Sequence, residues 1–194
     1  MRSRTPEDLH GRCPACYLPT ALCLCAQVPR VDTRTGFLLV RHSKEAHKSS
    51  NTARMAALAL PHCRILPYGA PGVPFDASEL TRPGTWLLFP EAPPPPPGTP
   101  PPEHVVVLDG NWTQARRMYH RLPGLHRLPG LVLPGPPPDT RRLRRSPHAQ
   151  GMSTLEAIAG AISLLEGEAV ARPLYALNEL MVTRVLASRG RRTQ

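Results

Sequence analysis

Residues 105–118, VVVLDGNWTQARRM, place a strand, a turn and a helix in one short run. Val105 to Leu108 are apolar without alternation, the pattern of a strand buried on both faces. Gly110 permits a tight turn. Asn111 can accept a hydrogen bond from the first helical turn, and Gln114, three residues on, completes a variant of the capping box. A strand–turn–helix unit of this kind belongs to an open α/β sheet, where ligands settle outside the carboxyl ends of the strands. Asp109 and Trp112 stand at that seam, which makes them candidate functional residues.

On either side the chain alternates in the same way. GFLLVRH (36–42), CRILPYG (63–69) and TWLLF (85–89) read as further strands, SNTARMAALAL (50–60) as a helix, and LPGLVLP (128–134) as a place for one more short strand. Strands alternating with helices predict a largely parallel α/β sheet. Ser153 and Glu156 form a second capping box, opening a helix whose apolar face carries Leu155, Ile158, Ala159, Ile162 and Leu165. A last helix is expected from Pro173, running into the basic tail SRGRRTQ.

The chain has 194 residues, enough for one domain with a proper core and a small appendage. Lys and Arg number 24 against 14 Asp and Glu, a formal charge of +10 carried mostly by arginine. Arginine's planar fork suits phosphate, so the composition points to nucleic acid ahead of a membrane surface, for which no basic amphipathic anchor is evident. The start, MRSRTPEDLHGRCP, has no apolar core of a secretory signal, and no apolar run reaches the ~18 residues that span a bilayer. A soluble, cytoplasmic protein is expected.

Of the 26 prolines, many fall in two loops, PEAPPPPPGTPPPEH (90–104) and the arginine-crowded PGPPPDTRRLRRSP (134–147). Proline cannot donate to a ladder, so both are read as surface loops.

Four cysteines, Cys13, Cys16, Cys23 and Cys25, stand as C-x2-C-x6-C-x-C. Four thiolates at that spacing can close tetrahedrally on zinc, with an iron–sulfur cluster as the chemical rival. Zinc held by four cysteines has no open position, so it would be structural. Cys63 stands apart, and core burial accounts for it. The stretch RHSKEAHKSSNTAR gathers His42, Lys44, Glu45, Asn51, Thr52 and Arg54 just after a strand. Asn51 could cap the helix that follows, and His42 with Glu45 could form a surface pair. No phosphate-binding glycine loop, dinucleotide fingerprint, zinc-protease helix or nucleophile elbow follows any strand.

In order, RCPACYLPTALCLC, HSKE with NTAR, LLFPEA, LDGNWTQARRM and LRRSPHAQGMSTLEAIA cover residues 12–166. This ordered set resembles the DTW-domain family of tRNA-uridine aminocarboxypropyltransferases. Two positions depart from the family's pattern: Ser43 stands where a proline usually follows the histidine, and Asn111 where the family name puts threonine.

The resemblance implies a SPOUT-like α/β domain with a knotted C-terminal half over residues 31–188, a zinc knuckle over 1–30 and a basic tail over 189–194. It further implies transfer of the 3-amino-3-carboxypropyl group of S-adenosylmethionine to N3 of a tRNA uridine, releasing methylthioadenosine. Asp109 would accept the uridine imide proton or bind the α-ammonium of S-adenosylmethionine. Trp112 would wall that co-substrate or stack on the base.

By the same resemblance, Leu88, Phe89, Pro90, Leu133, Ser153, Thr154 and Glu156 would line the S-adenosylmethionine site, although Ser153 and Glu156 are equally accounted for as a cap. His42, Lys44, Asn51, Arg54, Arg116, Arg117, Arg141, Arg142, Arg144 and Arg145 would meet tRNA. A methyltransferase on the same fold, or a non-catalytic zinc-containing RNA-binding module, are the alternatives.

Overall fold

The computed structural model describes residues 11–136, 140–143 and 151–190. Its centre is a four-stranded, wholly parallel sheet: β1 (Gly36–His42), β2 (Cys63–Tyr68), β3 (Thr85–Leu88) and β4 (His104–Asp109) in the order β2-β1-β4-β3. The helices are α1 (Ala53–Ala59), α2 (Trp112–Arg121), α3 (Thr154–Glu166) and α4 (Glu168–Gly190). The predicted α/β class with a parallel sheet is what the chain forms. The knot expected in the C-terminal half is not traced, and residues 137–139 and 144–150 of that half lie outside the described residues.

Burial on both faces explains the unbroken apolar run of β4. Val105 and Val107 share a core with Phe37 and Leu39 of β1, α1, α3 and α4. Val106 and Leu108 face the opposite way, into a second core with Leu38, Val40 and the buried face of α2. Alternation is lost because neither face meets water.

Both predicted capping boxes form. Asn111 Oδ1 accepts from the Gln114 N–H at 2.9 Å while Gln114 Oε1 accepts from the Asn111 N–H at 2.7 Å. Ser153 Oγ and Glu156 Oε2 make the equivalent exchange at 3.2 and 2.8 Å. Each cap contributes on the order of 1 kcal/mol.

Two sequence readings need correction. Residues 128–134 form no strand; only Gly130 bridges, in parallel sense, to Leu87 at the sheet edge. Pro129 has no N–H for a ladder, and Val132 turns outward with 60% exposure. The last helix starts at Glu168, well before Pro173, which lies inside it. Gly167, at φ 102°, ends α3 and redirects the chain, and Ala171 and Leu174 bury the first turns of α4 in the main core, so helix formation starts upstream of the proline. The proline costs one hydrogen bond near the helix start.

Gly130 fits only as glycine. A Cβ there would stand 2.8 Å from the Ala92 carbonyl oxygen and 2.9 Å from that of Pro93. Both obstacles are backbone. Gly130→Ala is therefore expected to cost about 1–3 kcal/mol through overpacking. A denaturant midpoint equal to that of the unaltered protein would show that the loop gives way instead.

Residues 11–28 wrap onto this body and do not form a core of their own. Leu18 and Leu24 are fully buried in the core that contains α3 and α4. Arg184 of α4 donates to the Cys23 carbonyl at 3.2 Å and to Gln27 Oε1 at 2.6 Å.

Candidate active site

The winding of the sheet creates the site. From β1 the chain moves outward to β2, whereas β4 leads through α2 to the opposite edge beside β3. The carboxyl ends of β1 and β4 are thus the switch point, where a crevice opens and ligands bind in sheets of this type. Asp109 ends β4 there, in register with Arg41 of β1.

Asp109 is 3% exposed. Asn51, on the turn after β1, donates Nδ2–H to Asp109 Oδ2 at 2.7 Å, and Thr154, the first residue of α3, donates its hydroxyl to Oδ1 at 2.8 Å. Three separate chain segments meet on one carboxylate. Burial pushes its pKa above the ordinary carboxylate range, and the bonds from Asn51 and Thr154 oppose that rise only in part. Thr52 next door accepts from the Leu155 N–H at 3.2 Å, which ties the start of α1 to the start of α3.

A cavity of about 310 Å³ opens over this carboxylate. The structure brings together on its wall Leu88, Phe89 and Pro90 from the end of β3, Asp109 and Trp112, Leu133, and Ser153, Thr154 and Glu156 from the start of α3. Half-buried Trp112 stacks on Phe89, with ring centroids 5.8 Å apart and planes inclined by 27°. The lining is in part aromatic and apolar. It also carries carboxylates and amides, and Ser153 donates to Asn178 of α4 at 3.2 Å.

Among the lining residues that the sequence does not mark as site residues are Glu45 and Asn178. Glu45 is not the surface partner of His42 that the sequence suggests: it is 1% exposed, lines the cavity, and pairs with Lys48. Asn178 lies too far along the chain for any local pattern to flag it. The signal for Glu45 was the polar run HSKE directly after a strand, which the short 3₁₀ turn Ser43–Glu45 folds inward.

The basic residues divide. Asn51 is buried against Asp109. Arg54 donates to the Ala46 carbonyl at 2.6 Å and lies over the Tyr17 ring at 3.8 Å, so its guanidinium is engaged within the protein. Burial first, then Lys44, lowers the His42 pKa. Arg116 pairs with Glu91 at 2.9 Å. Lys44, Arg117 and Arg141 are exposed, and Arg142 lines the cavity. Arg144 and Arg145 lie outside the described residues.

The four cysteines converge. Their sulfurs all lie within 4.8 Å of one another, with Cys13–Cys25 at 3.5 Å and Cys16–Cys23 at 3.8 Å. A tetrahedral tetrathiolate with metal–sulfur bonds of ~2.3 Å has edges of about 3.8 Å, so the donor set fits a metal ion of that kind. The Cys16 backbone N–H, foremost, brings the Cys13 thiol down to about 6, while burial pushes Cys25 up to about 12. No helix among the described residues is long and apolar enough to cross a membrane.

Fold and site together define a parallel α/β protein with a ligand cavity at its switch point and a four-cysteine knuckle packed beside it. The chain belongs to the DTW-domain family, whose model matches residues 10–186. It is 27% identical over 192 residues to tRNA-uridine aminocarboxypropyltransferase 2 of Drosophila melanogaster, covering 90% of this chain and 76% of that protein. The proteins of the same name from Macaca fascicularis and Mus musculus are 27% and 28% identical over 89% and 90% of this chain. The chain spans less than two thirds of their length, 64% and 63%. No solved structure matches it.

Proposed function

We propose that this protein is a tRNA-uridine aminocarboxypropyltransferase that moves the 3-amino-3-carboxypropyl group of S-adenosylmethionine to N3 of a tRNA uridine. The observation that carries the reading is Asp109, a buried carboxylate with a raised pKa in a half-apolar cavity at the switch point of a DTW-family chain. The names of its relatives supply the reaction class.

In this reading the Asp109 carboxylate takes the N3 proton of the uridine. The N3 lone pair forms a bond to the arm carbon beside the sulfonium. The carbon–sulfur bond breaks with its electrons going to sulfur, so methylthioadenosine leaves as a neutral thioether. The sulfonium is already a good leaving group, so the protein's task is placement and proton removal. Phe89 and Trp112 would hold the adenosine part or the base by their faces. Leu88, Pro90, Leu133, Ser153, Thr154 and Glu156 would complete the co-substrate's seat.

The cysteine cluster holds structural zinc, the fold is of the SPOUT-like kind with a knotted C-terminal half, and the place of work is the cytoplasm. The exposed Lys44, Arg117 and Arg141, with the overall charge of +10, suit tRNA phosphates.

The test follows which carbon leaves sulfur. With bulk tRNA, label in the carboxyl group of S-adenosylmethionine is expected to enter RNA while methylthioadenosine accumulates and methyl label stays out. Methyl label in tRNA with S-adenosylhomocysteine as by-product would make the chain a methyltransferase and overturn the reading.

A further inference from the structure

We infer that Glu45, and not Asp109, seats the α-ammonium of the aminocarboxypropyl arm, which leaves Asp109 free to take the uridine proton; the inference rests on the reading of the cavity given above.

Three carboxylates line the cavity among the described residues, and their partners differ in kind. Glu156 is bound to its own helix start, with Oε2 accepting from the Ser153 N–H at 2.8 Å. Among the described residues, the donors to Asp109 are neutral, the Asn51 amide and the Thr154 hydroxyl. Glu45 accepts from an ammonium: Lys48 Nζ stands 2.5 Å from its Oε1.

Lys48 therefore shows what Glu45 is built to hold. A carboxylate that is 1% exposed stays charged only when a cation and hydrogen bonds compensate it. Lys48 supplies that cation from a side chain that is 37% exposed, on a flexible stem that can swing into water. The α-ammonium of the arm is also a primary ammonium, with the same charge and donor geometry, so it can replace or join Lys48 at Glu45.

A base must be able to lose and regain a proton. Here burial, with Glu45 contributing as a neighbouring negative charge, raises Asp109, and its neutral partners leave it able to protonate. Were Asp109 to bind the ammonium, that bond would lower its basicity just where the proton must go.

The experiment compares three small ligands by calorimetry: S-adenosylmethionine, its deamino analogue in which hydrogen replaces the α-ammonium, and methylthioadenosine, which lacks the arm. Unaltered protein should bind S-adenosylmethionine at least tenfold tighter than the deamino analogue. Glu45→Gln should remove that difference while methylthioadenosine binds within about twofold of its original affinity. Lys48→Met, which removes the internal competitor and keeps the stem, should raise the preference for S-adenosylmethionine over methylthioadenosine severalfold. Asp109→Asn should leave the preference intact.

Equal losses for all three ligands in Glu45→Gln, or a preference that vanishes in Asp109→Asn and survives in Glu45→Gln, overturns the assignment. Should Glu45→Gln fail to fold, no preference for the ammonium in unaltered protein and no gain in Lys48→Met does the same. Unaltered protein that binds neither S-adenosylmethionine nor methylthioadenosine overturns instead the reading of the cavity itself.

Discussion

Replacing Asp109 by Asn is expected to lower transfer by about 10²–10⁴-fold, the usual contribution of a positioned general base, while leaving the protein at least as stable at neutral pH. The second half of this result is what separates chemistry from packing. Asp109 has a folded pKa raised above its ordinary value of 3.8, so the native state binds more protons than the unfolded chain between those two values. Stability from this group is full below the unfolded value and is lost as pH rises through the folded one. At neutral pH the buried charge is a cost, and the amide removes it while keeping the shape and an oxygen that accepts from Asn51 or Thr154.

The same shift fixes the pH profile. Burial first, then the negative charge of Glu45, push the group up; Asn51, Thr154 and Arg41 restrain it. The acid limb of the rate should thus lie above the ordinary carboxylate range, and it should disappear in the residual activity of Asp109→Asn. Near-normal transfer in that variant would leave Asp109 a hydrogen-bond hub only.

The second large effect concerns the knuckle. Purified protein is expected to carry about one zinc per chain, and Cys13→Ser with Cys16→Ser should lose both the metal and most of the global stability. Structural zinc in small peptides is worth ~10–16 kcal/mol of binding free energy, comparable to the ~5–15 kcal/mol that holds a whole domain. Cys16, Leu18 and Leu24 belong to the main core, so opening the knuckle exposes surface that α3 and α4 also need covered. Elemental analysis and thermal unfolding with and without a chelator check this. Protein without zinc, or with an unchanged unfolding temperature after chelation, would sink the assignment.

What could be read from the chain was what neighbours in sequence decide. The run VVVLD, the capping boxes at Asn111 and Ser153 and the C-x2-C pair each declare their local structure, and each forms. The contacts that build the site are of another kind. Asn51 and Thr154 reach Asp109 across 58 and 45 residues, because β1 lies beside β4 and α3 returns over their ends.

No spacing announces such a meeting. Asn51 resembles an RNA contact and Glu45 a surface residue in the sequence, since a polar residue after a strand looks the same whether the turn folds in or out. Arg54 joined the basic residues because its ring partner, Tyr17, lies in the cysteine segment. The early start of α4 was missed because tertiary packing of Ala171 and Leu174 outweighs the helix-breaking habit of Pro173.

Arg54 gives that cysteine segment a say in events at the cavity. Its backbone N–H donates to Asn51 Oδ1 at 3.2 Å while its guanidinium lies on Tyr17, so one residue grips both the amide that holds Asp109 and the loop between Cys16 and Cys23. Two ligands bound at the two ends of one rigid link share a free energy, and the sharing is reciprocal. A co-substrate that tightens the turn at Asn51 should slow the escape of metal to a chelator, and by the same factor metal should deepen co-substrate affinity.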